Sequence, residues 1–131
     1  MKNVQAIICE GSCHCGHIKI AVKVPLNAKV ARCNCSICTM SGYLHLFVEK
    51  HDLEVLQGEE KLTDYRFNTG VARHLFCSVC GIKTFYVPRS HPEGFSVNLR
   101  CLVLDEKIQI SIKDFDGQHW NKNIDGLLLQ D

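Results

Sequence analysis

From Ile18 to Val24 the chain reads Ile-Lys-Ile-Ala-Val-Lys-Val, apolar at alternate positions and mostly polar between them, and it then meets Pro25. Successive side chains of an extended segment point to opposite faces, so this alternation predicts a half-buried β-strand over 18–24. Shorter apolar runs predict further strands over 29–33, 43–48, 53–56, 62–67, 74–76, 84–87, 95–99 and 108–112. Turn-forming residues separate them at Gly11, Gly42, Gly58, Asn68-Thr69-Gly70, Gly81, His91-Pro92-Glu93-Gly94 and Asp116-Gly117. Helical spacing is scarce, with short turns predicted over 36–40 and 120–128. Many short strands joined by turns imply an all-β, β-dominated fold of short sheets. No repeat, linker or low-complexity stretch divides the chain, so residues 1–131 read as a single domain.

Composition narrows this picture. The 131 residues, 46% hydrophobic and 22% charged, suffice for one core. No segment approaches the roughly 18 consecutive apolar residues of a membrane helix, and Met1-Lys2-Asn3-Val4 lacks the apolar region of a secretory leader. A soluble, cytoplasmic protein without a membrane partner is therefore expected. Fifteen Lys and Arg stand against fourteen Asp and Glu, a formal charge of +1. Binding to a phosphate backbone usually needs a clear basic excess, so nucleic acid is not expected as a direct ligand. The run Gly126-Leu127-Leu128-Leu129 offers an apolar surface either to the body of the domain or to a second copy in a homo-oligomer.

Nine cysteines are the outlying count. In a reducing compartment such density points to metal ligation or catalysis rather than disulfides. Cys77-Ser78-Val79-Cys80-Gly81 has the spacing of a knuckle that turns two sulfurs onto one ion, with a glycine free to take a positive φ. Cys13-His14-Cys15, if extended, would project two more sulfurs from one face. Together Cys13, Cys15, Cys77 and Cys80 predict a structural four-sulfur zinc site. The bland alternative is a group of reduced, buried thiols. Zinc in zinc-finger peptides contributes an apparent ~10–16 kcal/mol near neutral pH, against a total stability of ~5–15 kcal/mol for a usual domain. Cys9 and Cys101 lie outside any pair and read as core filling.

Cys33-Asn34-Cys35-Ser36-Ile37-Cys38 holds three potential ligands in six residues, an i, i+2 pair and a third thiol returned by a turn. Catalytic zinc commonly takes three protein ligands and leaves one vertex open. Three thiolates outweigh the charge of the ion, so a bound water would be acidified less than at a three-histidine site, and a soft, thiol-bearing substrate is favoured. The competing reading is a second structural zinc closed by His14, His45 or His74. His14, Asn34, His45, Arg73 and His74 are the polar residues expected near the ions, or else ordinary strand-surface groups. Arg89 and Arg100 each present a fork that binds a carboxylate bidentately, though most surface arginines do not.

Three stretches, Gly11-Ser12-Cys13-His14-Cys15-Gly16, the Cys33 to Cys38 triplet and Phe76-Cys77-Ser78-Val79-Cys80-Gly81, resemble in order and spacing the glutathione-dependent formaldehyde-activating enzyme family. Within it the likeness is strongest to the domain of centromere protein V, through Tyr65-Arg66-Phe67-Asn68-Thr69, Phe85-Tyr86-Val87-Pro88-Arg89-Ser90 and the stretch from Gly94-Phe95 to Cys101-Leu102. This resemblance implies an Mss4-like zinc-binding fold of short antiparallel sheets with two Zn2+ per chain. The structural ion would be held by Cys13, Cys15, Cys77 and Cys80, the substrate-side ion by Cys33, Cys35 and Cys38. It also implies a carbon–sulfur lyase that makes or cleaves S-hydroxymethylglutathione, with glutathione as the small-molecule partner. The alternative is a non-catalytic, zinc-stabilised interaction module, and the likeness to centromere protein V adds the nucleus as a second compartment. Thr39 and Met40 stand where many members of the family carry basic residues that would meet the glutathione carboxylates.

Overall fold

In the computed structural model, residues 5–67 and 70–119 are described. The alternating segment forms β2 (Lys19–Pro25), flanked antiparallel by β1 (Ala6–Ser12) and β5 (Leu53–Gln57). Ile20, Val22 and Val24 of β2 are buried and Lys19 and Lys23 face out, the inward and outward sets that the period of two requires. A five-stranded sheet runs in the order β10 (Gln109–Phe115), β3 (Asn27–Cys33), β4 (His45–Glu49), β9 (Gly94–Asn98) and β8 (Phe85–Tyr86). The two-stranded ribbon of β6 (Leu62–Tyr65) and β7 (His74–Cys77) completes the strands among the described residues. The α-helix α1 (Ser36–Ser41) spans six residues and ends on Gly42, and short 3-10 turns occur at Lys50–Asp52, Glu59–Lys61, Leu99–Cys101 and Gly117–His119. The fold is thus β-dominated. No helix among the described residues is long and apolar enough to cross a membrane.

Apolar side chains from all three groups of strands meet in one buried cluster that includes Ile18, Ile20, Val22, Val24, Val30, Leu46, Leu75, Phe85 and Val97. Cys13 and Cys77 belong to the same cluster, so two of the clustered thiols are part of the main core. A second, smaller group packs Phe115 on Ala31 beside Cys33.

Two elements depart from the pattern read in the sequence. β1 was not expected, because the residues it buries best, Cys9 and Gly11, give little hydrophobic signal, while Ile8 is 66% exposed. It forms because seven residues pair in unbroken register with β2. The sheets are also not wholly antiparallel: β10 lies parallel to β3, from Gln109 opposite Asn27 to Phe115 opposite Cys33. Residue patterning reports a strand's faces and says nothing of its partner's direction. The turn at Asn68-Thr69, the helical turn over 120–128 and the run Gly126 to Leu129 lie outside the described residues.

Ile20 is fully buried on β2, the middle strand of its sheet. Ile20→Ala should therefore lower stability by about 2–5 kcal/mol, read as a shift of the denaturant midpoint with metal held saturating; a shift too small to resolve would contradict this packing.

Candidate functional site

The loop between β1 and β2 carries Cys13 and Cys15, and the turn after β7 brings Cys80 back to Cys77. All four sulfurs lie within 4.8 Å of one another. Cys13 and Cys15 are 3.6 Å apart and Cys15 and Cys77 3.7 Å. A tetrahedral zinc with Zn–S bonds near 2.3 Å would set its sulfurs about 3.8 Å apart, so these edges fit such an ion. They are far longer than the ~2.05 Å of a disulfide, and all nine cysteines are free thiols.

The extended Cys-x-Cys read from the spacing is not what forms. Cys13 begins a tight turn in which its N–H donates to Ile18 O at 3.1 Å and its carbonyl accepts from Gly16 N at 3.2 Å. Cys77 repeats the arrangement, donating to Ile82 O at 3.0 Å and accepting from Gly81 N at 2.8 Å. Gly16 and Gly81 both take positive φ, 84° and 79°, a conformation that β-carbons disfavour. The site is therefore two knuckles facing each other. Backbone N–H groups donate to the sulfurs, Ile18 to Cys13 at 3.3 Å and Val79 and Cys80 to Cys77 at 3.4 and 3.5 Å, and at Cys77 these donors help to outweigh desolvation and hold the thiol below its usual range. The Nδ1 of His17, a residue the sequence analysis did not single out, lies 3.1 Å from Cys15 Sγ.

The second cluster is built differently. Cys33 ends β3, Cys35 is the N-cap of α1 and Cys38 lies buried in its first turn, so strand end and helix start together converge three sulfurs to within 4.8 Å. Without a cation these thiols compete for charge. Hydrogen bonds from Cys33 and Cys38 draw Cys35 down to about 2, while the same neighbours push Cys38 far up. Such a set ionises fully only around a cation, and soft sulfur donors suit zinc.

Residues 8–118 match the family described as glutathione-dependent formaldehyde-activating enzyme. The chain belongs to that family. It is 30% identical, over 95 residues, to a Halomonas elongata protein that bears the same family name, covering 66% of this chain. The match spans 60% of that relative's own length. A crystal structure of a Rhodobacter sphaeroides protein is similar with a TM-score of 0.68 and 38% identity, over 79% of this chain and 99% of that one.

In this formaldehyde-activating family member, the histidines fall into place unequally around the triplet. His45, on β4 opposite Ala31 of β3, directs Nε2 to Cys38 Sγ at 3.1 Å and Nδ1 to Ser96 Oγ at 2.8 Å, with Tyr86 Oη 3.3 Å from the same Nδ1. It is 3% exposed, and burial holds it down to about 4, so the ring is neutral at pH 7. The mutually close donors are Cys33, Cys35 and Cys38, and His45 meets only Cys38, by a hydrogen bond. His74 pairs instead with Lys83, Nδ1 to Nζ 2.9 Å, and stacks on Tyr86 with centroids 4.6 Å apart. His14 is exposed and joins no donor group among the described residues. Arg73 is committed to Asp64 at 3.0 Å. Cys9 is buried in the core, and Cys101 is half-buried with burial pushing it up to about 11, which suits packing better than nucleophilic attack.

A pocket of about 530 Å³ opens beside the triplet, with Cys33, Cys38, Tyr43, Phe115 and Arg100 in its wall; Asn34 also lines it, and Arg89 does not. Asn34 Nδ2 donates to Asp116 Oδ1 at 3.0 Å, tying the triplet loop to the segment after β10. There Gly117 approaches so closely that a Cβ would overlap Cys33 Sγ. Ser96, Tyr43, Tyr86 and Lys83 were also missed in the sequence; the available signal was a polar Ser96 inside the apolar strand 95–99, at a position now fully buried.

Cys77→Ser should lose one metal equivalent relative to the wild type and the cooperativity of thermal unfolding, and an unchanged melting curve at unchanged metal content would refute the paired-knuckle site. Gly117→Ala should displace Cys33 and weaken metal at the triplet alone. In the cobalt-substituted protein the sulfur-to-metal absorption should fall by about the triplet's share, whereas a wild-type spectrum would show that the turn yields without cost.

Proposed function

We propose that the protein is a zinc-dependent carbon–sulfur lyase-like enzyme that makes or cleaves the adduct of a small thiol and an aldehyde, S-hydroxymethylglutathione being the adduct suggested by the family. Residues 1–131 act in this reading as one zinc-binding domain, with a structural ion held by Cys13, Cys15, Cys77 and Cys80 and a substrate-side ion held by Cys33, Cys35 and Cys38. The observation that carries it is the unequal pair of clusters: four sulfurs enclosing one centre, and three at another, of which Cys33 and Cys38 line a pocket.

In the synthetic direction the thiol sulfur bonds to the aldehyde carbon, the carbonyl π pair moves to oxygen, and the proton lost from sulfur ends on that oxygen. Cleavage is the reverse. Cys33, Cys35 and Cys38 would hold a zinc ion, which would supply positive charge to favour the thiolate form of a substrate and polarise a carbonyl. The chain's own residues do the rest. Cys33, Cys35 and Cys38 carry the charge on elements of fixed geometry, and neutral His45, oriented through Ser96 and Tyr86, holds Cys38 in place. Tyr43 and Tyr86, both buried, close the inner side against water. Holding both reactants in one pocket contributes through proximity more than through acid–base chemistry. Glutathione as co-substrate agrees with a reducing, cytoplasmic setting, and nothing in this reading requires nucleic acid or a membrane.

Cys35→Ser should keep the fold and one metal equivalent, lose the other, and lower thiol–formaldehyde adduct exchange, followed by NMR line broadening or isotope exchange, to the uncatalysed rate. Retained exchange would remove the triplet from catalysis.

A further inference from the structure

We propose that Arg100 is the carboxylate-reading group of the triplet pocket, so that the site selects thiols bearing a carboxylate over neutral ones. This rests on the catalytic reading above and adds to it a substrate class and the residue that sets it.

Arg100 lies in the turn that follows β9, where its N–H is capped by Asn98 Oδ1 at 3.2 Å. Asn98 is itself buried and anchored to Lys83 O at 2.9 Å. The guanidinium Nε donates to Gly42 O at 2.9 Å, and Gly42 caps the helix that carries Cys38. The charge is thus held in a fixed relation to the triplet from both its backbone and its head. One of five guanidinium N–H donors is used by Gly42, which leaves the terminal fork for a planar anion.

The other cations near the triplet are committed. Arg32, also in the pocket wall, pairs with Asp114 at 2.7 Å. Lys83 is set over the rings of Tyr43 and Tyr86, 5.2 and 4.9 Å from their centroids, with its Nζ on His74, and does not line the pocket. Among the described residues the Arg ion pairs are those of Arg32 with Asp114 and of Arg66 and Arg73 with Asp64, and none engages Arg100. Three thiolates around a dication leave a net negative charge, so an anionic thiol entering the pocket meets repulsion unless a cation in the wall offsets it. Arg100 is placed to do so, and Thr39 and Met40 supply no charge of their own.

The test is thiol binding to the cobalt-substituted holoprotein, read from its visible spectrum, with glutathione, glutathione diethyl ester and 2-mercaptoethanol as probes. Glutathione should bind about ten- to a hundredfold tighter than its diester, the range of a charge-assisted bidentate contact. Arg100→Gln, with both metal equivalents retained, should bring glutathione down to the diester's affinity and leave the diester unchanged, and Arg100→Lys should recover part of the difference. Equal affinity of glutathione and diester in the wild type, or equal losses for both in Arg100→Gln, would overturn the inference while leaving the catalytic reading intact. No spectral response to any of the three thiols would overturn the catalytic reading and this inference with it.

Discussion

Four sulfurs from opposite ends of a stretch of some sixty residues, Cys13 and Cys15 against Cys77 and Cys80, meet where the first hairpin approaches the β6–β7 ribbon. Cys13 and Cys77 are almost wholly buried in the main apolar cluster, so two of the potential metal ligands also complete the core. Buried thiolates are costly unless an ion and hydrogen-bond donors compensate them. The two glycine-closed knuckles provide the donors by turning backbone N–H groups toward sulfur. Packing, chain reversal and charge compensation therefore depend on one another at this point.

The triplet obeys the same chemistry in a different setting. Its sulfurs come from a strand end and a helix start rather than from paired loops, and among the described residues no fourth metal-ligating atom groups with them. Behind it, the neighbouring strands β4, β9 and β8 deliver His45, Ser96 and Tyr86 as a buried hydrogen-bonded group. In front, Asp116 and Arg100 bound the pocket. A rigid back and a shaped, polar front are what a site needs if binding energy is to orient a substrate.

Much of this was legible in the chain. Alternation in 18–24 announced β2, turn residues bracketed most of the short strands, and helical spacing over 36–40 matched α1. The cysteine spacings alone separate a four-sulfur set from a three-sulfur one. Less legible were β1, whose buried positions are a cysteine and a glycine, and the parallel pairing of β10, which depends on a partner some eighty residues away. The knuckle at Cys13 was read as an extended segment because i, i+2 spacing suits both; Gly16 was the residue that distinguishes them.

By itself, then, the sequence determined the donor chemistry and its grouping: which side chains can ligate, how many stand together, and how local spacing brings neighbours onto one centre. Those properties are short-range, set by bond lengths, φ and ψ over a few residues. Tertiary structure alone decided which distant groups complete each site, namely that Cys38 meets His45 rather than His74, that Ser96 and Tyr86 stand behind it, and that Arg100 rather than Arg89 lines the pocket. Such pairings follow from strand order and register, which arise from the packing of the whole core and leave no trace in the spacing of any one segment.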